Sequence, residues 1–150
     1  MPQNKFAKSY QSASVETSSP GKVILMLFDG ALRFMEAAQK GFDEEDIVKR
    51  NEAIHNNLTK AQNIILELQT SLDLEKGGDF AKTMYGLYGY MHQELSQANV
   101  KKDKAPIENV VSHLNEIRNA WEEMLGNTQT QHKANRASFS SNAWVWRNRT

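Results

Sequence analysis

The feature that most constrains this chain is one column of apolar residues. Ile54, Leu58, Ala61, Ile65, Leu68 and Leu72 step by four, three, four, three and four, which is the period of an α-helix with a narrow buried seam. Such a seam is stable only against other helices, and three further segments supply them. Val23, Leu27, Ala31, Phe34 and Ala38, flanked by Ile24, Phe28, Leu32 and Met35, form a wide apolar arc that predicts a deeply packed first helix. It opens at Ser18-Ser19-Pro20, where Ser19 can cap and Pro20 fits the first turn, and it ends near Gly41. The acidic run Asp43-Glu44-Glu45-Asp46 suits the positive N-terminus of the second helix. Gly77-Gly78 stops the region, and Asp79 is a cap for the third helix, expected from about Phe80 to Val100. Its face is read as Phe80, Met84, Leu87, Met91, Leu95 and Ala98. Lys101-Lys102-Asp103-Lys104 closes it, and Pro106 opens a fourth helix carrying Ile107, Val110, Val111, Leu114, Ile117, Trp121 and Leu125 as far as Gly126.

No segment alternates with period two, so no sheet is expected. Four long helices with short connections predict an all-α fold, an antiparallel up-down-up-down four-helix bundle. A length of 150 residues suits one compact domain. The bundle is expected over residues 19–126. Residues 1–18 form a separate N-terminal arm, in which Phe6 and Tyr10, at i and i+4, place two rings on one surface of a short helical turn. That turn is too short to be stable alone in water and is expected to dock on the bundle or stay disordered.

Charge divides the chain differently. The 18 acidic and 18 basic residues cancel, but every acidic one lies at or before Glu123. Beyond Gly126 the only charges are Lys133, Arg136, Arg147 and Arg149. Residues 127–150 are also rich in Asn, Gln, Ser and Thr and read as a flexible, loosely attached tail. A zero balance argues against nucleic acid as the main partner. The longest apolar run, Val23–Phe28, is far short of the roughly 20 residues of a membrane span, and Met1–Ser19 is unlike a signal peptide. A cytoplasmic protein without membrane insertion is expected.

Chemistry-bearing patterns are sparse. The absence of Cys excludes disulfides, thiolate metal sites and a Cys nucleophile. Glu52-Ala53-Ile54-His55 has the spacing of half a di-iron site, but Gly89 and Val110 stand three before His92 and His113, so the second half is missing. Gly21-Lys22 fails as a phosphate loop, because Glu16 and Val23 occupy the positions that need Gly and Ser or Thr. The four histidines are dispersed and suggest no triad. No enzyme activity, cofactor or metal is expected.

What remains is apolar surface in excess of one core. On the third helix Tyr85, Tyr88 and Tyr90 join Met84, Leu87 and Met91, and Ile64 flanks the seam of the second helix. This set reads either as core with a half-buried aromatic rim or as an adaptable peptide-binding groove. Gly86 and Gly89 interrupt the same stretch, each costing roughly 1 kcal/mol against Ala within a helix, a cost that close approach of another chain would offset.

Several motifs, in order and at matching spacing, resemble the FliS family of flagellar export chaperones for flagellin. They are Thr17-Ser18-Ser19-Pro20, Ile24-Leu25-Met26-Leu27-Phe28-Asp29-Gly30-Ala31, Lys60-Ala61-Gln62-Asn63-Ile64-Ile65, Ser71 to Gly78, Leu87-Tyr88 with Tyr90-Met91, Ala98-Asn99 before Lys102-Asp103, and Trp121. The similarity runs from Tyr10 to Leu125. It implies a chaperone that binds the disordered C-terminal segment of flagellin in the cytosol, prevents premature polymerisation and delivers it to the export gate. It also implies that the N-terminal arm covers part of an empty groove and leaves when flagellin binds. Tyr10 matches the family's arm tyrosine, whereas Phe6 replaces an aliphatic residue. Together these readings name Phe6, Tyr10, Ile64, Leu68, Met84, Tyr85 and Tyr88 as partner-binding residues. Two features depart from the family: Gly86 and Gly89 replace polar residues, and the tail carries no family pattern. Its Ala143-Trp144-Val145-Trp146-Arg147 is an unstructured end, a cloning remnant or a docking segment. Rival readings are an adaptor for a different export or regulatory partner, a metal- or cofactor-binding bundle, and a homodimer held by the wide apolar arcs. Ile65 and Leu68 lie on a seam, so replacing either is expected to cost stability first.

Overall fold

A computed structural model describes residues 20–130, and the arm, with Phe6 and Tyr10, and the tail beyond Thr130 lie outside the described residues. The described residues form four helices: α1 (Pro20–Gly41), α2 (Ile47–Ser71), α3 (Leu74–Lys101) and α4 (Ala105–Thr130). Their boundaries follow local chemistry. Asp46 caps α2 by accepting from the Val48 N–H, and Asp73 caps α3 by accepting from the N–H groups of Glu75 and Lys76. The Asp103 carboxylate accepts from the Ala105 N–H at the start of α4. Lys102, in the left-handed region at φ 52°, closes α3, its backbone N–H donating to the Ala98 carbonyl. Gly78 breaks α3 after its first turn, with φ 58° and ψ −140°, a conformation open almost only to glycine. The main run of α3 therefore starts beside Asp79, as the sequence suggests. The fourth helix goes further than expected, its backbone continuing to Thr130, four residues into the segment read as tail.

The connections are too short to return a chain along a helix, so neighbours run antiparallel. Contacts between the helices fix the register. Gly41 of α1 lies against Ala53 and Ile54 of α2, while Lys60 stands over the ring of Phe34. Gln62 and Gln69 of α2 reach His92 and Tyr85 of α3. The Trp121 indole N–H of α4 donates to the Gly21 carbonyl of α1 at 2.8 Å, and Arg118 pairs with Asp29. Each helix thus packs on two others in a closed ring, α1–α2–α3–α4–α1, the up-down-up-down four-helix bundle.

The seam of α2 is as expected, with Ile54, Leu58, Ala61, Ile65, Leu68 and Leu72 all buried. The seam of α3 differs. Its buried residues are Ala81, Met84, Tyr88, Met91, Leu95 and Ala98, stepping three, four, three, four and three. Phe80, expected on the core face, is 54% exposed, and Leu87 is only partly buried. The true column runs through a small residue and a hydroxyl-bearing one, Ala81 and Tyr88, and the more apolar neighbours Phe80 and Leu87 lie beside it.

Candidate functional site

The outer face of the α2–α3 seam stands apart because it lacks charge. From Thr83 to Gln93 the chain has no Asp, Glu, Lys or Arg, and the α2 residues facing this stretch are Gln62, Leu66 and Gln69. The two glutamines form the polar ties of the seam. Gln62 Nε2 donates to the His92 carbonyl at 3.1 Å and to Ser96 Oγ at 2.7 Å, and Gln69 Nε2 donates to the Tyr85 carbonyl at 3.0 Å. Further along, Asn99 Nδ2 lies 2.9 Å from His55 Nδ1, while Asn99 Oδ1 accepts from Lys102 Nζ. The bonds made by Gln62, Gln69 and His55 satisfy side chains that would otherwise compete for water, and they hold the two helices in one register.

Leu66, four residues after Gln62 and three before Gln69, rises from this row and is 45% exposed. Tyr85 is 43% exposed on the facing helix. Between them the surface is low, because Gly86 and Gly89 carry no side chain. A Cβ at Gly89 would meet only Gln69 Nε2, at 3.2 Å, and one at Gly86 would meet nothing within 4 Å. The result is a shallow, uncharged trough with apolar shoulders. Charge depletion with aromatic enrichment is the signature of an interface centre.

The residues named from sequence are dispersed relative to this face. Of the five within the described residues only Tyr85 presents substantial surface. Leu68, Met84 and Tyr88 are buried in the core, and burial pushes the Tyr88 phenol well above its usual pKa, so it stays neutral. Ile64 is buried four residues after Lys60, on the flank that turns toward Phe34 of α1. Tyr90, five residues after Tyr85 and so about 140° around the helix, lies on the opposite flank, where its hydroxyl accepts from Asn109 of α4. The tyrosines and methionines of α3 are thus split among one trough, the core and the α4 side. Leu66 was missed because it precedes Glu67 and lies off the seam; its spacing from two glutamines was the available signal.

The α1–α4 side is chemically different. Its cleft, of about 500 Å³, is lined by Asp29, Arg33, Glu36 and Asn115 among others. Arg118 spans its edge, bonded to Asp29 at 2.7 Å and to Glu122 at 2.6 Å, and the Asp29 and Glu122 carboxylates raise the guanidinium pKa further. Charged walls suit a polar ligand better than an apolar helix. Among the described residues no group of three His, Asp or Glu is placed to hold a metal ion, and no helix is long and apolar enough to cross a membrane.

Comparison with known proteins agrees with the resemblance seen in the motifs. The family model for flagellar protein FliS matches residues 2–128. The chain is 36% identical over 117 residues to the flagellar secretion chaperone FliS of Bacillus subtilis, covering 78% of this chain and 84% of that one. It is 40% identical over 122 residues to the protein of the same name from Salmonella typhimurium, covering 78% and 87%. A third, from Campylobacter jejuni, is 34% identical over 126 residues, covering 83% and 95%. With a four-helix bundle, a matching family model and relatives alike over most of their length, this chain belongs to the FliS family of flagellar secretion chaperones.

Proposed function

We propose that this protein is a non-enzymatic export chaperone that holds the disordered C-terminal segment of flagellin in the cytosol, prevents its premature polymerisation and delivers it to the flagellar export gate. The observation that carries the reading is the uncharged trough of the α2–α3 face. A filament-forming segment must present an apolar face to assemble, and the same face self-associates when the subunit is free. Laying it as a helix between Leu66 and Tyr85, over the bare backbone of Gly86 and Gly89, buries it on a rigid support. Ordering a disordered segment costs several kcal/mol, so the contact extends beyond the trough. Val48 and Val100, both strongly exposed, offer further apolar surface toward the other end of the same helices. Leu68, Met84 and Tyr88 support the trough from within the bundle, and Phe6 and Tyr10 belong to an arm that covers the empty groove and yields to the partner.

Charge-inserting variants test this. Leu66→Asp and Tyr85→Asp are expected to abolish co-purification with the flagellin C-terminal segment while melting near the parent, because both side chains are nearly half exposed and lie outside the core. Glu36→Ala, in the α1–α4 cleft, is expected to retain it. Full retention by both trough variants would refute the placement. Loss of flagellin binding by the parent protein itself would favour an adaptor for another export partner.

A further inference from the structure

The flank of α3 that turns toward α4 has aromatic surface that the proposed flagellin trough does not use. Phe80, Thr83, Leu87 and Tyr90 form one stripe at helical spacing, and the bond from Asn109 Nδ2 to the Tyr90 hydroxyl, 3.0 Å, sets it against α4. Phe80 is 54% exposed and Tyr90 43%. With Tyr90 beside Asn109 in an antiparallel pair, Phe80 lies level with about residue 119, near the last turns of α4. The surroundings are acidic. Glu75 and Asp79 precede Phe80, and Glu116 and Glu123 are exposed on α4, against Lys76 and Lys82 close by in sequence.

We infer that the C-terminal segment of this same chain, around Trp144 and Trp146, docks on that flank. Three observations select this occupant. The first is charge: residues 20–126 carry 17 acidic and 12 basic side chains, whereas the segment after Gly126 carries only Lys133, Arg136, Arg147 and Arg149. The second is chemistry. Two tryptophans that bracket Val145 and adjoin Arg147 match an exposed phenylalanine and tyrosine set among carboxylates, through aromatic contact and ion pairing together. The third is reach. Thr130 lies about 11 residues beyond the level of Phe80, roughly 16 Å along the axis of α4. A random-coil chain as long as residues 131–143 spans an r.m.s. distance of about 20 Å, enough to return, at an effective concentration near the millimolar range. No charge complementarity of this kind exists on the uncharged α2–α3 trough, so the tail and the proposed partner take opposite flanks of α3.

The chain has no cysteine, so one introduced cysteine gives a unique label site. In the full-length, ¹⁵N-labelled protein, a nitroxide at Thr83→Cys, an exposed position on the stripe, is expected to bleach the indole N–H signals of Trp144 and Trp146. The same label at Lys104→Cys, in the α3–α4 connection at the other end of the bundle, is expected to leave them intact. Adding Phe80→Ser to the Thr83→Cys protein is expected to restore the two signals, with the melting curve confirming that the bundle is folded. In a mixture of ¹⁵N-labelled protein without nitroxide and unlabelled protein with it, both signals are expected to persist. Intact tail signals in the Thr83→Cys protein would overturn the inference. So would bleaching in the mixed sample, which makes a second copy the occupant, or bleaching that survives Phe80→Ser undiminished.

Discussion

Two glycines within one helix turn invite a single experiment that separates what the bundle needs from what its partner needs. Glycine inside a helix costs about 1 kcal/mol relative to alanine. At Gly86 an added Cβ meets nothing within 4 Å, so Gly86→Ala collects the full gain. About 1 kcal/mol corresponds to a rise in melting temperature of roughly 3–5 °C for a domain of this size. At Gly89 the new Cβ lies 3.2 Å from Gln69 Nε2. The amide must give by a few tenths of an ångström, straining its 3.0 Å bond to the Tyr85 carbonyl. Such a bond contributes about 0.5–1.5 kcal/mol net, which offsets the gain, and Gly89→Ala is expected to melt within about 2 °C of the parent. If the bare backbone is there to admit a partner helix, the double variant is at least as stable as the parent and binds the flagellin segment at least about tenfold more weakly, or roughly 1.4 kcal/mol. Thermal melts and calorimetric titration on the same samples read both quantities. A Gly86→Ala protein no more stable than the parent would refute the helix-interior reasoning. A stabilised double variant with full affinity would refute the trough.

Other perturbations test the framework. Gly78→Ala meets no steric obstacle, but φ 58° with ψ −140° is hostile to any side chain; a loss of about 1–3 kcal/mol in urea unfolding is expected. Leu68→Ala opens a cavity at a fully buried seam position and is expected to cost about 2–5 kcal/mol, whereas an unchanged unfolding curve would mean that Leu68 is on the surface. Trp121→Phe removes the indole donor to the Gly21 carbonyl and is expected to cost about 1–2 kcal/mol, with hydrogen exchange accelerated first in the opening turns of α1. Arg118→Ala breaks a pair whose side chains are 21% and 40% exposed and is expected to cost no more than about 1 kcal/mol.

The bundle was legible in the sequence where apolar spacing and chain punctuation agreed. The α2 column and the glycine break before α3 needed no tertiary information, because a narrow stripe and a positive-φ glycine are local properties. The α3 seam was legible in period and at Met84, Met91, Leu95 and Ala98. Ala81 and Tyr88 are less apolar than Phe80 and Leu87, so choosing the greasier residue displaced the expected face by one position at those two steps, while Met84, Met91, Leu95 and Ala98 are buried as expected. Burial there is decided by the break at Gly78 and by how α2 and α4 flank the helix. Helical geometry explains the site residues. Tyr85, Tyr88 and Tyr90 look like one cluster along the chain, yet they point to a trough, the core and the α4 flank. Leu66 became visible only once Gln62 and Gln69 were seen to bridge the seam.

Capture of an apolar flagellin segment by the α2–α3 face is open to measurement in solution. Its most direct test is calorimetric titration of the full chain with the C-terminal segment of flagellin from the same organism, repeated at several temperatures. Saturable one-to-one binding with a large negative heat-capacity change, the mark of apolar burial, is expected, as is its loss in the Leu66→Asp, Tyr85→Asp double variant. Absence of heat and of co-elution with the parent chain, or undiminished binding by the double variant, would contradict it.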